Sequence, residues 1–307
     1  MKKIIEVNNF VKNYGSFQAV KGISFYVEEG KMFSFLGPNG AGKSTTIDTL
    51  CTLLEFDSGE VTVDGYDLRR DSKSIRQSIG VVFQDSVLDD MLTVRENLFV
   101  RAGLYEKHKC SVKNMVDVID TTGVSEFLNR PYGKLSGGQR RRADIAAALI
   151  HKPKILFLDE PTTGLDPQTR RAIWDTMKRL QVETGMTIFL TTHYMEEAAD
   201  SDYIIVMDHG EIAAKGTPIE LKTKYALDSL RIAPNEKLTI GELQAKLAPM
   251  DIQCIVAGSV IHIELPDTMA ALPILEKCQR HIVSFQVTQG TMDEAFISII
   301  GQEARLQ

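Results

Sequence analysis

Gly37-Pro38-Asn39-Gly40-Ala41-Gly42-Lys43-Ser44-Thr45 decides how this chain is read. It follows Met32-Phe33-Ser34-Phe35-Leu36, an apolar run with the composition of a buried strand, and leads into Thr46-Ile47-Asp48-Thr49-Leu50, which opens a helix. A strand, a glycine-rich turn and a helix that begins on Lys-Ser form a phosphate-binding loop. The glycines let the backbone curl so that successive N–H groups point inward at anionic oxygens. The helix N-terminus adds its partial positive charge. In that arrangement Lys43 reaches the β- and γ-phosphates of a nucleotide, and the Ser44 hydroxyl ligates Mg²⁺. A glycine-rich surface turn would reproduce part of the pattern, but not strand, Lys-Ser pair and helix all in register.

The chain has 307 residues, enough for two domains, and its 43% hydrophobic and 25% charged content is that of a globular protein. A formal net charge of -6 leaves no basic footprint for nucleic acid. No apolar run approaches the roughly 18 residues of a membrane span. The start, Met1-Lys2-Lys3-Ile4-Ile5-Glu6, turns polar too soon for a signal peptide. Cys51, Cys110, Cys254 and Cys278 lie far apart without metal-ligand spacing, as reduced thiols of a cytosolic protein do.

In chain order, Ile4, Val7 and Phe10 mark a first strand, and Ile23, Phe25 and Val27 a second. Tyr14-Gly15 lies between them in a loop. By spacing alone Tyr14 reads more readily as a turn aromatic packed on its own hairpin than as a platform for a flat base. Asp57-Ser58-Gly59-Glu60 reads as a turn before the strand Val61-Thr62-Val63. The buried strand Ile79–Phe83 places Gln84 at its end, where a polar residue meets a ligand. Residues 93–150 lack strand signals, with helical spacing at Leu98, Ala102 and Tyr105 and again at Val112, Met115, Val116 and Ile119. This block reads as a helical insertion into an α/β core. Within it, Leu135-Ser136-Gly137-Gly138-Gln139 precedes Arg140-Arg141-Arg142 and an Ala-rich helix. Ser136 caps that helix, and the glycines expose backbone N–H groups: either a second anion site or an ordinary capped helix start. The three arginines read as a solvated helix face.

Ile155-Leu156-Phe157-Leu158-Asp159-Glu160 is a further buried strand ending in two acids. Asp159 suits Mg²⁺ coordination, and Glu160 suits positioning or deprotonation of a water. Strand alternation is expected to turn the two side chains apart. Gly164-Leu165-Asp166-Pro167 forms a turn, and Ile173, Met177 and Leu180 lie on one face of the next helix. The strand Thr187–Leu190 runs on to His193, in line with the other strand tips and a candidate γ-phosphate contact. Ile204–Met207 and Glu211–Ala214 read as a closing hairpin.

With these pieces in order, residues 4–225 closely resemble the ATP-binding subunit of an ABC transporter. Gly37 to Thr45 match the Walker A loop, Gln84 the Q-loop, and Leu135 to Gln139 the LSGGQ signature letter for letter. Ile155 to Asp159 match Walker B, Glu160 stands at the catalytic glutamate, Gly164 to Pro167 match the D-loop, and His193 the switch histidine. Tyr14 falls at the family's adenine-stacking aromatic, which reverses the reading from spacing. Ala147 departs from the pattern, since many members carry Arg there, and no loss of activity is expected from it. The resemblance implies a P-loop NTPase fold and an ATPase with Glu160, His193 and Gln84 as catalytic residues. Its nucleotide contacts are Tyr14, Gly37, Pro38, Asn39, Gly40, Ala41, Gly42, Lys43, Ser44 and Thr45, and, from a second subunit, Ser136, Gly137, Gly138 and Gln139. Its Mg²⁺ ligands are Ser44, Gln84 and Asp159. It further implies a head-to-tail pair of such subunits, a separate membrane permease, no nucleic-acid partner, and a peripheral place on the inner face of the cell membrane.

Beyond residue 225 the order strand (Asp228–Ile232), helix (Ile240–Leu247), strand (Ile252–Val256), strand (Val260–Leu265), helix (Met269–Cys278), strand (Ile282–Val287) is that of a ferredoxin-like unit, followed by a helix at Met292–Ile300. Two domains are therefore expected, 1–225 for ATP binding and 226–307 as an accessory α+β domain. Gly290-Thr291-Met292-Asp293-Glu294-Ala295-Phe296, and the stretch from Gln84 through Leu98, are similar to the drug-exporter subgroup: daunorubicin-resistance, sodium-export and ABCA-like members. The expectation is an export ATPase. An import ATPase, with its own small C-terminal domain, is the nearer alternative. A soluble relative acting on ribosomes or DNA would show two cassettes or a long coiled coil, and a small-molecule kinase would leave the signature unexplained.

Overall fold

The structure is a computed structural model and describes residues 2–105, 112–235, 238–250 and 252–303. Cys110 lies outside them; Cys51, Cys254 and Cys278 are free thiols. The chain divides into two compact units, Met1–Thr217 and Pro218–Gln307.

The first unit opens with β1 (Lys3–Tyr14) and β2 (Phe17–Glu28), then β3 (Met32–Leu36) and α1 (Lys43–Leu50). There follow β4 (Ser58–Val63), β5 (Tyr66–Asp67), α2 (Ser72–Ser78) and β6 (Ile79–Val82). The helical insertion holds α3 (Val94–Gly103), α4 (Val112–Thr122) and α5 (Gly137–Leu149). The unit closes with β7 (Ile155–Asp159), α6 (Pro167–Thr184), β8 (Thr187–Thr192), α7 (Met195–Ala198), β9 (Tyr203–Asp208) and β10 (Glu211–Gly216). Two local expectations shift. Ser58–Glu60 belongs to β4, because Asn8 and Val11 of β1 already pair with Glu60 and Ser58. Tyr105 lies beyond the end of α3.

One sheet has the order β10-β9-β3-β8-β7-β6, the other β2-β1-β4-β5. In the first, β3, β8, β7, β6 and β9 run parallel, and only β10 is antiparallel. Central parallel strands are covered on both faces and so read as continuous apolar runs. Their residues still alternate between faces. Phe33, Phe157 and Phe189 join the core that also contains Ile5, Val7, Val61 and Val63 of the second sheet. Met32, Leu156, Leu158, Ile188 and Leu190 face a separate core with Ala146, Leu149, Trp174 and Met177 of α5 and α6. Phe189 is the hub of the first core, with ring centroids 5.1 Å from Phe33, 5.1 Å from Phe35 and 5.3 Å from Phe157.

The second unit contains α8 (Pro218–Tyr225), β11 (Asp228–Pro234), α9 (Ile240–Leu247), β12 (Cys254–Ala257), β13 (Val260–Leu265), α10 (Ala271–Cys278), β14 (Ile282–Thr288) and α11 (Met292–Glu303). Its antiparallel sheet has the order β12-β13-β11-β14, with the β-α-β-β-α-β chain order of a ferredoxin-like fold. Leu230, Ile232, Ile261 and Ile263 meet Leu243, Leu247, Ile274 and Cys278 of α9 and α10 in its core. The expected boundary at 225 falls after α8, whereas the first compact unit ends at Thr217, because α8 packs on α11. No helix among the described residues is long and apolar enough to cross a membrane.

Phe189→Ala removes the hub ring, and we expect a loss of about 3–5 kcal/mol. Trp174, the chain's one tryptophan, is buried in the first unit, so urea unfolding followed by its fluorescence reads that unit alone. A change under about 1 kcal/mol would show that the aromatic cluster is not the core's centre, since conservative repacking sits in that range.

Candidate functional site

The parallel strands end level. Leu36 of β3 pairs with Thr192 of β8, Asp159 of β7 pairs with Thr191, and Val82 of β6 pairs with Leu158. The carboxyl edge of such a sheet is where α/β folds bind ligands. The residues singled out in the sequence follow these tips: Gly37–Thr45 after β3, Glu160 after β7, His193 after β8 and Gln84 after β6.

The glycine-rich loop wraps the buried Lys43, which is 5% exposed. Its Nζ donates to the Gly37 carbonyl at 2.8 Å and the Pro38 carbonyl at 3.0 Å. Burial pulls the ammonium below its ordinary pKa, while Glu160 and Asp159 push it back up. Gly42, the N-cap of α1, has φ 99°, a left-handed conformation that L side chains resist. A Cβ there would come 2.7 Å from the Ala19 carbonyl of β2, so the loop closes on that strand.

Thr191, fully buried, links the two acids. Its hydroxyl donates to Asp159 Oδ1 at 2.5 Å and accepts the Glu160 N–H at 3.0 Å. Burial raises the Asp159 carboxyl above the usual range, against the Thr191 hydrogen bond. Glu160 lies one residue past β7 with φ 43°. A left-handed turn, not the pleat of a strand, therefore aims its side chain, which corrects the expectation from alternation. Its Oε2 accepts from Thr163 Oγ1 at 3.0 Å and lies 3.5 Å from His193 Nδ1. Close by, the buried Glu197 of α7 accepts from Thr162 and, at 2.6 Å, from Thr192, tying the segment after β7 to the end of β8.

Ser136 is the N-cap of α5 and forms a capping box with Gln139, so the capped helix start expected from the sequence is present. A Cβ on Gly138 would collide with the Thr169 side chain, and one on Gly137 would come 3.1 Å from Leu165. These glycines thus lie against the start of α6, which Asp166 caps by accepting the Thr169 N–H at 3.0 Å. Their nearest neighbours do not include the phosphate-binding loop. Tyr14 is the last residue of β1, not a loop residue. It is 47% exposed, paired across the hairpin with Phe17, and has Lys12 Nζ 5.3 Å from its ring centre.

Sequence reasoning missed Thr191 and Glu197, and read Arg141 as solvated. Arg141 is 8% exposed and donates to the Phe83 and Gln84 carbonyls at 2.6 and 3.1 Å. Asp144, on the same face of α5, accepts from Ser86 Oγ at 2.7 Å and from the Tyr132 hydroxyl at 2.9 Å. The i,i+3 spacing of two opposite charges after the signature was the only sequence signal.

Residues 20–163 match the profile of the ABC transporter family. The daunorubicin/doxorubicin resistance ATP-binding protein DrrA of Streptomyces peucetius is 36% identical over 98% of this chain and 94% of its own length. The linearmycin resistance ATP-binding protein LnrL of Bacillus subtilis is 36% identical over 98% of this chain and all of its own. Among solved structures, the dimeric ATP-binding cassette MJ0796 with ADP and Pi has a TM-score of 0.63 at 29% identity, over 70% of this chain and 98% of that one. CbiO1 of Clostridium perfringens, part of the cbiONQ ABC transporter complex, reaches 0.67 at 29% identity over 81% and 98%. The chain belongs to the ABC transporter family, as an ATP-binding and ATP-hydrolysing subunit with the P-loop NTPase cassette fold.

Proposed function

We propose that this subunit drives export through a separate membrane permease, peripheral to the membrane's inner face, and works as a head-to-tail pair. The observation that carries the ATPase part is the convergence of Lys43, Asp159, Glu160 and His193 at one sheet edge. The export part draws support from full-length relatives named for drug resistance, whose similarity runs through the second unit. That unit serves as an accessory domain.

ATP lies along the loop, with its β- and γ-phosphates at the N–H groups of Gly40 to Thr45 and at Lys43, and its adenine on Tyr14. Two N–H donors of the Lys43 ammonium are taken by its own loop, leaving the third for a phosphate oxygen. Mg²⁺ takes one or two carboxylates and completes its shell with phosphate oxygens and water, and Asp159 offers a largely buried carboxylate near Lys43 for it. Ser44, Gln84 and Asp159 would hold it, and it would neutralise charge on the phosphates. Glu160 orients a water and accepts its proton as the water oxygen bonds to the γ-phosphorus and the bridging P–O bond breaks. His193, within reach of Glu160 Oε2, contacts the γ-phosphate. Ser136, Gly137, Gly138 and Gln139 of a second copy close the site through exposed N–H groups at a helix start.

Glu160→Gln keeps shape and reach but cannot take the proton. Phosphate release should fall about 10²–10⁴-fold, while the variant retains Mg-ATP and runs as a dimer in size-exclusion chromatography. Unchanged phosphate release removes Glu160 from the mechanism. For the paired site, Lys43→Ala and Ser136→Arg should each be inactive alone. Mixed, they assemble heterodimers with one intact composite site, and hydrolysis should return in part. No recovery at any mixing ratio would mean that both features serve one nucleotide within a single chain.

A further inference from the structure

Both terminal nitrogens of the Arg141 guanidinium go to one short target. Nη1 donates to the Phe83 carbonyl at 2.6 Å and Nη2 to the Gln84 carbonyl at 3.1 Å. These carbonyls belong to the two peptide planes that flank the Gln84 Cα. Peptide units are rigid, so fixing both planes fixes φ and ψ of Gln84 and with them the direction of its Cα–Cβ bond. A guanidinium is a planar fork whose donors keep a set geometry, whereas an ammonium is a point charge. The fork is reinforced one turn further along α5, where Asp144 accepts from Ser86 Oγ at 2.7 Å. The segment after β6 is thus tied to α5 at residues 83, 84 and 86, while the Gln84 side chain stays exposed. α5 is also the helix whose first residues are Gly137 and Gly138.

We propose that Arg141 is a positioning residue for Gln84: its fork sets the Gln84 backbone so that the amide meets the Mg²⁺ of bound nucleotide, and it joins that backbone to the signature helix. The proposal rests on Gln84 as an Mg²⁺ ligand.

A purely electrostatic role makes the opposite prediction. Arg141 faces Asp144, Tyr132, Asp159 and Asp85. Removing a positive charge near Asp159 strengthens binding of a cation there, whereas losing the fork weakens it. Arg141→Lys keeps the charge and loses the fork, so it separates the two.

The test follows binding of a slowly hydrolysed fluorescent ATP analogue to the full chain as free Mg²⁺ is varied, for wild type, Arg141→Lys, Arg141→Ala, Gln84→Ala and Arg141→Lys with Gln84→Ala. Both Arg141 variants should raise the Mg²⁺ midpoint by about 10–100-fold, as loss of a residue that orients a metal ligand does. Affinity in EDTA should move far less. Gln84→Ala should raise the midpoint similarly, and adding Arg141→Lys to it should do little more. Arg141→Ala strands two carbonyls, so Trp174 fluorescence checks that it is folded, and Arg141→Lys carries the test if it is not. An unchanged midpoint in Arg141→Lys beside a raised one in Gln84→Ala overturns the proposal, as does a lowered midpoint in Arg141→Ala. If Gln84→Ala itself leaves the midpoint unmoved, the reading of Gln84 fails, and the proposal with it.

Discussion

The register of β3, β8 and β7 is the constraint on which the site depends. Leu36 beside Thr192 and Asp159 beside Thr191 put three strand tips at one level. A slip of one residue would send Phe157 and Phe189 to the helix face and Leu158 and Leu190 to the sheet face. Both faces are packed, so the core itself forbids that slip. The chemistry inherits this precision. Thr191 can hold Asp159 with its proton and the Glu160 N–H with its lone pair only because β7 and β8 end together. With its N–H held, Glu160 adopts a left-handed backbone that a carboxylate side chain would otherwise avoid.

What the sequence disclosed of the site, and what it hid, follows from how far each signal reaches along the chain. Gly37 to Thr45 is a local device: its turn, cap and charge lie within nine consecutive residues. Ser136 with Gln139 is equally local, a capping box in four residues. Both strand periodicity and the ferredoxin-like order of the second unit are short-range patterns, so they too were legible. Thr191 was not, because its meaning depends on a partner strand 31 residues away in sequence. Arg141 was misread for the same reason: three arginines in a row look solvated, and nothing local tells which one turns inward to residues 57 and 58 positions earlier. The boundary near 225 was set by the change of strand and helix pattern, but α8 joins the second unit through a helix that lies at the other end of it in sequence.

Charge explains why these groups must act together. Lys43 is buried deeply enough for its ammonium to be disfavoured, and the nearby Asp159 and Glu160 are what favour the charged form. Those acids are themselves crowded: burial and the neighbouring Glu160 both raise the Asp159 carboxyl. A triphosphate brings several more negative charges to the same place, where low dielectric magnifies repulsion. One lysine cannot offset them. On the proposed reading, a divalent cation held at Asp159 would turn that acid from a source of repulsion into a ligand. Glu160 is held by Thr163 and lies near His193, and in the proposed mechanism it is the carboxylate that faces the phosphates. There its repulsion would weaken ground-state binding and be relieved as it takes a proton from water, so the same charge that opposes binding would favour the step that follows.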